Sequence, residues 1–271
     1  MNNDLLFLDL DGTLLDDGKQ VTDGNRKAID GLLQAGGRVI ITTGRPLPSA
    51  LHQSENLGLT GAGCYVICYN GAQIYDWGAE KVIKSQSLTV SQAVEIFKIA
   101  RQVGVHIQTY DDRDVLVEQQ GVDAELSHYC SAIGMTFRVI DSICTDLKQA
   151  PVKCLAIDLN GQEKLEQFRK KVLEQFAGHL DAFFSFHAYV EVVAAGTGKG
   201  QALKKLADLL QVPISRTVAV GDAANDLSML RTAGTGIAMQ NAAEDVKTAA
   251  DWVTTRDNNH DGIAEVIEKY F

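Results

Sequence analysis

Apolar runs and amphipathic stretches alternate along this chain in two rhythms. In the first rhythm, residues 5–10, 38–42 and 64–69 are nearly continuous apolar runs, the second carrying Val39, Ile40 and Ile41. Runs without polar alternation predict strands buried on both faces. Between the first two, Ala28, Ile29, Leu32 and Leu33 recur at helical spacing. Thr22 stands where an N-cap is expected, and Gly36 and Gly37 where the helix stops. Pro46 suits the first turn of a further helix. The last third resumes this style. Ala202, Leu203, Leu206, Leu209 and Leu210 mark one helical face, residues 217–220 a strand, and Leu227, Met229 and Leu230 the helix after it. Short strands are predicted over 235–239 and 252–254, and a closing helix over 262–270. This pattern predicts an α/β fold with a parallel sheet covered by helices on both faces.

The middle of the chain has the second rhythm. Thr89 caps a predicted helix running to Val103, followed by strands at 105–110 and 115–118 around a turn at 111–114. A helix near 122–133, a strand at 136–140, a short helix, a strand at 152–158 and a helix at 162–176 come next. Strands at 182–186 and 189–193 complete the series. This order makes an open α/β sheet of its own. The chain is therefore predicted to hold a core of residues 1–82 and 190–271, with a domain of residues 83–189 inserted into it.

Composition narrows the chemistry. With 271 residues, 45% hydrophobic and 22% charged, the core needs no metal or disulfide staple, so a metal would be catalytic rather than structural. The net charge of −10 and the absence of a basic stripe exclude a nucleic-acid binder. An anionic substrate would then need local positive charge from a metal or from a few placed lysines and arginines. The cysteines number five, with no CxxC pair. Cys64 and Cys68 fall on one face of a predicted strand as small core residues, and a reducing cytoplasm is the expected compartment. Asp4 and Asp9 interrupt the first apolar run, so no signal peptide is expected. No stretch approaches the ~20 apolar residues of a membrane span. A monomer or small homo-oligomer is expected.

Four segments carry candidate chemistry. Asp9-Leu10-Asp11-Gly12-Thr13-Leu14 follows a predicted strand, and ligands of parallel sheets bind beyond the carboxyl ends of strands. Alternation along an extended backbone would orient Asp9 and Asp11 alike. Two such carboxylates can divide phosphoryl transfer, one attacking phosphorus and one moving a proton. A plain Asp-Gly turn is the structural alternative; a calcium loop is excluded by Leu14, where Gly is needed. Gly221-Asp222-Ala223-Ala224-Asn225-Asp226 follows another strand. One acidic residue there would cap the next helix, whereas this segment offers two and an amide. Asp9 and Asp222, from separate strand tips, could supply carboxylate oxygens to Mg²⁺. In Thr42-Thr43-Gly44-Arg45-Pro46, Gly44 lets backbone N–H groups approach an anion. Gly196-Thr197-Gly198-Lys199-Gly200 superficially suggests a nucleotide loop. Gly200 stands where a P-loop needs Ser or Thr, and Gln201 where a dinucleotide fingerprint needs Gly, so both readings fail. Lys199 remains, at a helix start, as a point charge for phosphate. No serine-hydrolase elbow or zinc-protease helix occurs. The histidines are scattered and stay outside the catalytic set, including His187 near the domain junction.

Taken in order, these four segments resemble the haloacid dehalogenase superfamily of phosphohydrolases. The insertion between the second and third is similar to the larger α/β cap of Cof-type, sugar-phosphatase-like members. Tyr69-Asn70-Gly71-Ala72 and Ala238-Met239-Gln240-Asn241-Ala242 also resemble that subgroup, whereas Ala223 stands where it usually has Gly. The resemblance implies a Rossmann-like core and a Mg²⁺-dependent phosphatase acting on a small phosphorylated metabolite. It implies Asp9 as nucleophile and Asp11 as general acid, then base. It further implies that Mg²⁺ is held by Asp9, the Asp11 carbonyl and Asp222, with Asp226 behind them. Thr43, Gly44, Lys199, Asn225 and the Leu10 N–H would hold the phosphate. Specificity is expected in the inserted domain. A phosphosugar mutase of the same fold and a catalytically idle phosphometabolite-binding protein are the alternatives. Asp11 favours hydrolysis over a long-lived phosphoenzyme, and an intact nucleophile–acid pair argues against a mere binder.

Overall fold

The computed structural model describes residues 5–271, so Asp4 lies outside the described residues. The chain divides into two compact units. One comprises the chain up to Gly44, Ala50–Lys84 and Gly198–Phe271; the other comprises Arg45–Ser49 and Ser85–Thr197.

The first unit opens with strand β1 (Leu5–Leu8), helix α1 (Asp23–Gln34), strand β2 (Arg38–Thr42), helix α2 (Leu47–Asn56) and strand β3 (Cys64–Cys68). Every residue of β1 is fully buried, as expected of a strand covered on both faces. Thr22 precedes α1 with extended backbone, but its hydroxyl donates to Asp261 at 2.5 Å instead of capping the helix N–H groups. Two short strands, β4 (Gln73–Asp76) and β5 (Lys81–Ser85), extend the sheet beyond β3.

The second unit contains α3 (Val90–Val103), β6 (His106–Tyr110), β7 (Val115–Glu118), α4 (Ala124–Ile133), β8 (Phe137–Ile140), α5 (Ile143–Asp146), β9 (Lys153–Ile157), α6 (Glu163–Gln175), β10 (Leu180–Phe186) and β11 (Tyr189–Ala194). Thr89 and Gln92 form a reciprocal capping box at the start of α3, and Gly104 ends it in the left-handed conformation. The sheet order is β10-β11-β9-β6-β7-β8. Ile96 and Phe97 of α3 and Phe168 and Val172 of α6 share a core with Ile107, Cys154, Ala156, Val190 and Val192. This pairing corrects the expected boundary near 189. Strand β11 lies between β10 and β9 and bonds to both, so the inserted unit retains it and runs on to Thr197.

The chain then completes the first unit with α7 (Lys199–Leu209), β12 (Thr217–Gly221), α8 (Leu227–Thr232), β13 (Thr235–Ala238), α9 (Glu244–Ala249), β14 (Trp252–Val253) and α10 (Gly262–Tyr270). The eight-stranded order is β14-β13-β12-β1-β2-β3-β4-β5. From β14 to β3 all neighbours are parallel, and β4 returns antiparallel to β3. Leu8 is in register with Val220 on one side and Ile41 on the other. Three adjacent strands therefore end at one level, and the residues just beyond them are brought together at one edge. Among the described residues, no helix is long and apolar enough to cross a membrane.

Candidate active site

Asp9 follows the last residue of β1 and is 7% exposed; its own N–H is held by Val220 at 3.1 Å. Lys199, the first residue of α7, reaches it from a wholly buried position. The ammonium donates to Asp9 Oδ1 at 2.5 Å and to Asp226 Oδ1 at 2.6 Å. The second oxygen of Asp226 accepts from the main-chain N–H groups of Asp222 and Ala223, both at 3.1 Å. Both carboxylate oxygens of Asp226 are thus spent on holding Lys199 and the turn after β12. Asp222 stands beside them, its Oδ1 accepting from Thr13 Oγ1 at 2.9 Å. Asp9, Asp222 and Asp226 each offer an oxygen within 4.8 Å of the others.

One ammonium cannot balance three carboxylates in so dry a place. Burial pushes the Asp9 carboxyl well above its ordinary range; Lys199 pulls it back, while Asp226 and Asp222 push it further up. Burial likewise raises Asp222, to about 6, with Asp226 adding to it. Burial disfavours the Lys199 ammonium, yet Asp226 and Asp9 outweigh it and hold the group above its ordinary value. The cluster is a cation with a surplus of anions around it. Hard oxygen donors with unspent negative charge suit a divalent cation such as Mg²⁺. Asp9 and Asp222 have oxygens to spare for one, and Asp226 does not.

Asp11 departs from the expected arrangement. Strand β1 stops at Leu8, so strand alternation does not extend to Asp11. Gly12 turns the chain with φ +84°, and a Cβ there would lie 2.6 Å from Asp222 Oδ2, so the turn needs glycine twice over. The Asp11 side chain is 41% exposed and accepts from Lys19 at 2.9 Å. Asp9 is therefore dry while Asp11 meets water. Leu10 buries its side chain, and its carbonyl accepts from Leu15 N–H at 2.9 Å. Thr43, at the end of β2, is buried, and its N–H is held by Ile67 at 2.8 Å. Gly44 follows it. Asn225 donates to Asn70 Oδ1 at 3.3 Å.

Asp9, Leu10, Asp11, Thr43, Gly44, Lys199, Asp222, Asn225 and Asp226 thus all belong to the first unit, beyond the ends of β1, β2 and β12 and at the start of α7. Sequence reasoning did not assign Thr13, Lys19, Asn70 or Asn241 to the site. Asn241 donates to the Gly12 carbonyl at 2.8 Å and so braces the Asp11 turn from 229 residues away. Asn70 and Asn241 lie in stretches singled out by their resemblance to the Cof-type subgroup, but their contacts follow only from the sheet order. Ala223, where a glycine was expected, has φ −122° and ψ 168°, an extended conformation open to any residue.

A parallel sheet with a buried carboxylate, a lysine and an acidic turn at its strand ends has the features expected of a phosphohydrolase. The chain matches the haloacid dehalogenase-like hydrolase family over residues 6–267 and belongs to it. It is a phosphatase of the Cof type. It is 30% identical to the pyridoxal phosphate phosphatase YbhA of Escherichia coli, over 98% of this chain and 98% of that one. It is 31% identical to the phosphatase YwpJ of Bacillus subtilis, over 97% and 98%. A haloacid dehalogenase-like hydrolase from Bacteroides thetaiotaomicron superposes with a TM-score of 0.91 at 30% identity, covering 99% of this chain and 100% of that one.

Proposed function

We propose that this chain is a Mg²⁺-dependent phosphomonoesterase of small phosphorylated metabolites, sugar phosphates or similar monoesters, working through an aspartyl-phosphate. The observation that carries the reading is the state of Asp9: one carboxylate oxygen is held by buried Lys199, and the other is not engaged by it. A carboxylate fixed in this way is oriented as a nucleophile without being quenched.

Asp9 attacks phosphorus, and the bond from phosphorus to the leaving oxygen breaks as Asp11 gives that oxygen its proton. Asp11, now ionised, takes a proton from water as that water attacks the phosphoryl group. The bond to Asp9 breaks, inorganic phosphate leaves, and both residues are restored. Exposure of Asp11 suits it to exchanging protons with solvent. Asp9, Asp222 and the Asp11 carbonyl would hold Mg²⁺, which when bound offsets the repulsion between the carboxylates and a dianionic phosphate. Thr43, Gly44, Asn225 and the Leu10 N–H bind the phosphoryl oxygens, and Lys199 adds positive charge. Asp226 steadies Lys199 and the Asp222 turn. The named activity of the YbhA relative on pyridoxal phosphate supports the substrate class. Five unpaired cysteines agree with a reducing cytoplasm.

The test is phosphate release from a panel of phosphorylated metabolites and p-nitrophenyl phosphate, with Mg²⁺, with Ca²⁺ and after dialysis against chelator. Activity should require Mg²⁺, and Ca²⁺ should inhibit, because its larger, often bidentate coordination would occupy the attacking oxygen. Asp9→Asn should lose at least ~10²-fold. Full turnover in chelator would reject the metal, and substantial turnover by Asp9→Asn would reject the nucleophile.

A further inference from the structure

The turn after β3 carries a polar group that the proposed mechanism does not use. Tyr69 and Asn70 are successive non-glycine residues in the left-handed region, with φ 51° and 53°. Such conformations persist only where the surroundings impose them. Here Asn70 N–H donates to the Thr43 carbonyl at 3.1 Å. Gly71 follows with φ +103°, and a Cβ on it would lie 2.3 Å from the carbonyl oxygen of Gly198, the residue before Lys199. The turn is therefore wedged between the end of β2 and the start of α7.

The Asn70 side chain is held as closely. The residue is 2% exposed. Its Oδ1 accepts from Asn225 Nδ2 at 3.3 Å. A Cβ on Gly44 would lie 3.0 Å from both Nδ2 and Oδ1, so Gly44 rests against the amide. Nδ2 is buried with no hydrogen-bond partner among the described residues. A buried donor left unsatisfied costs about 1–3 kcal/mol, and Gly44 and Asn225, both read above as phosphate-binding, lie against the same amide. What remains open is an N–H donor, which suits an anionic oxygen and does not suit a metal cation.

We propose that Asn70 is a phosphate-binding residue of this site, its Nδ2 donating to a non-bridging oxygen of the substrate's phosphoryl group. This rests on the phosphatase reading above. Two variants test it. Asn70→Gly keeps the left-handed backbone and removes the amide. Asn70→Asp keeps the shape and replaces the donor by an acceptor. Turnover of p-nitrophenyl phosphate and calorimetric binding of inorganic phosphate, both with Mg²⁺, are compared with the wild type. Asn70→Gly should lose about 10–100-fold in kcat/KM and in phosphate affinity, the range of a hydrogen bond to a charged group. Asn70→Asp should lose more at neutral pH and recover as pH falls, when the introduced carboxyl gains an O–H donor; Asn70→Gly should show no such recovery. A merely structural role would not produce that difference in pH profile. Wild-type phosphate affinity and turnover within about threefold in a folded Asn70→Gly protein would overturn the proposal. So would loss of cooperative unfolding in both variants, since the residue would then serve the fold. If the wild type released no phosphate from any ester, the phosphatase reading would fail, while the calorimetric comparison would still decide the role of Asn70.

Discussion

Replacing Lys199 by Met removes the ammonium shared by Asp9 and Asp226 while keeping most of the buried volume. The lysine side chain is fully buried, with contacts of 2.5 and 2.6 Å to the two carboxylates. Removing one partner of a buried ion pair costs about 3–5 kcal/mol, because the remaining charge is left desolvated. For a chain of this size that corresponds to a fall in Tm of about 6–20 °C. The loss should depend on pH. Asp9 already holds its proton more tightly than an ordinary carboxyl, mainly through burial, and without Lys199 it would hold it more tightly still. At about pH 5 protonation limits the cost; at about pH 8 the carboxylates face one another uncompensated. The assay is scanning calorimetry in chelator at both pH values, then with Mg²⁺, which should restore part of the loss. Adding Asp226→Asn to Lys199→Met should recover stability, since it removes one orphaned charge. Lys19→Met is the control: its pair with Asp11 is 56% and 41% exposed, and such pairs contribute about 0–1 kcal/mol. A Lys199→Met protein that unfolds in chelator at the wild-type temperature at both pH values would refute the reasoning.

Asp11→Asn should stay folded and lose about 10²–10⁴-fold in turnover. Nitrophenyl esters, whose leaving group needs no proton, should suffer less than alkyl esters in single-turnover phosphorylation; equal losses would contradict the acid role. Burial pushes the Asp222 carboxyl up to about 6, above the ordinary carboxylate range near 4, so its contribution to stability is complete below about pH 4 and is lost as pH rises through 6. In chelator, wild type measured against Asp222→Asn should therefore lose on the order of 3 kcal/mol across that window, and a flat difference would exclude it. Of the cysteines, Cys144 is exposed, and Cys64, Cys68, Cys130 and Cys154 are buried. Burial pushes Cys130 up to about 11 and Cys154 up to about 12. Thiol titration of the native protein should show one fast group, and a second would contradict the packing.

The legible parts were those where residue type and spacing state the physics. Unbroken apolar runs announced β1, β2 and β3, and an acidic turn after a strand announced Asp222 and Asp226. Thr89 announced the start of α3, where the structure adds Gln92 as its capping-box partner. The strands β4 and β5 were not legible, because Gln73–Asp76 and Lys81–Ser85 are short and partly polar. Nor was α9, whose Glu244–Ala249 spans little more than a turn. Thr22 looked like a cap, but its hydroxyl answers to Asp261, a partner 239 residues away. The shared direction of Asp9 and Asp11 assumed a strand that had already ended. The boundary near 189 ignored that β11 has two neighbours to satisfy, and strand pairing is not written in one strand. Asn70 is the sharpest case: Asn-Gly marks a left-handed turn readily enough, but an unsatisfied donor is a property of its surroundings.

The separation of Asp9 from Lys199 by 190 residues of chain has a consequence for synthesis. At about 5–20 residues per second, a ribosome needs about 10–40 s to travel from one to the other. Throughout that interval the nascent chain carries Asp9 without the lysine that holds its carboxylate, and without Asp222. Strand β1 must also wait for β12, its partner on one side. A chain released early, or clipped within the intervening unit before β12 docks, would carry the first motif and no competence for hydrolysis. The order of synthesis leaves Asp9 apart from Lys199 and Asp222 until the last third of the chain is made.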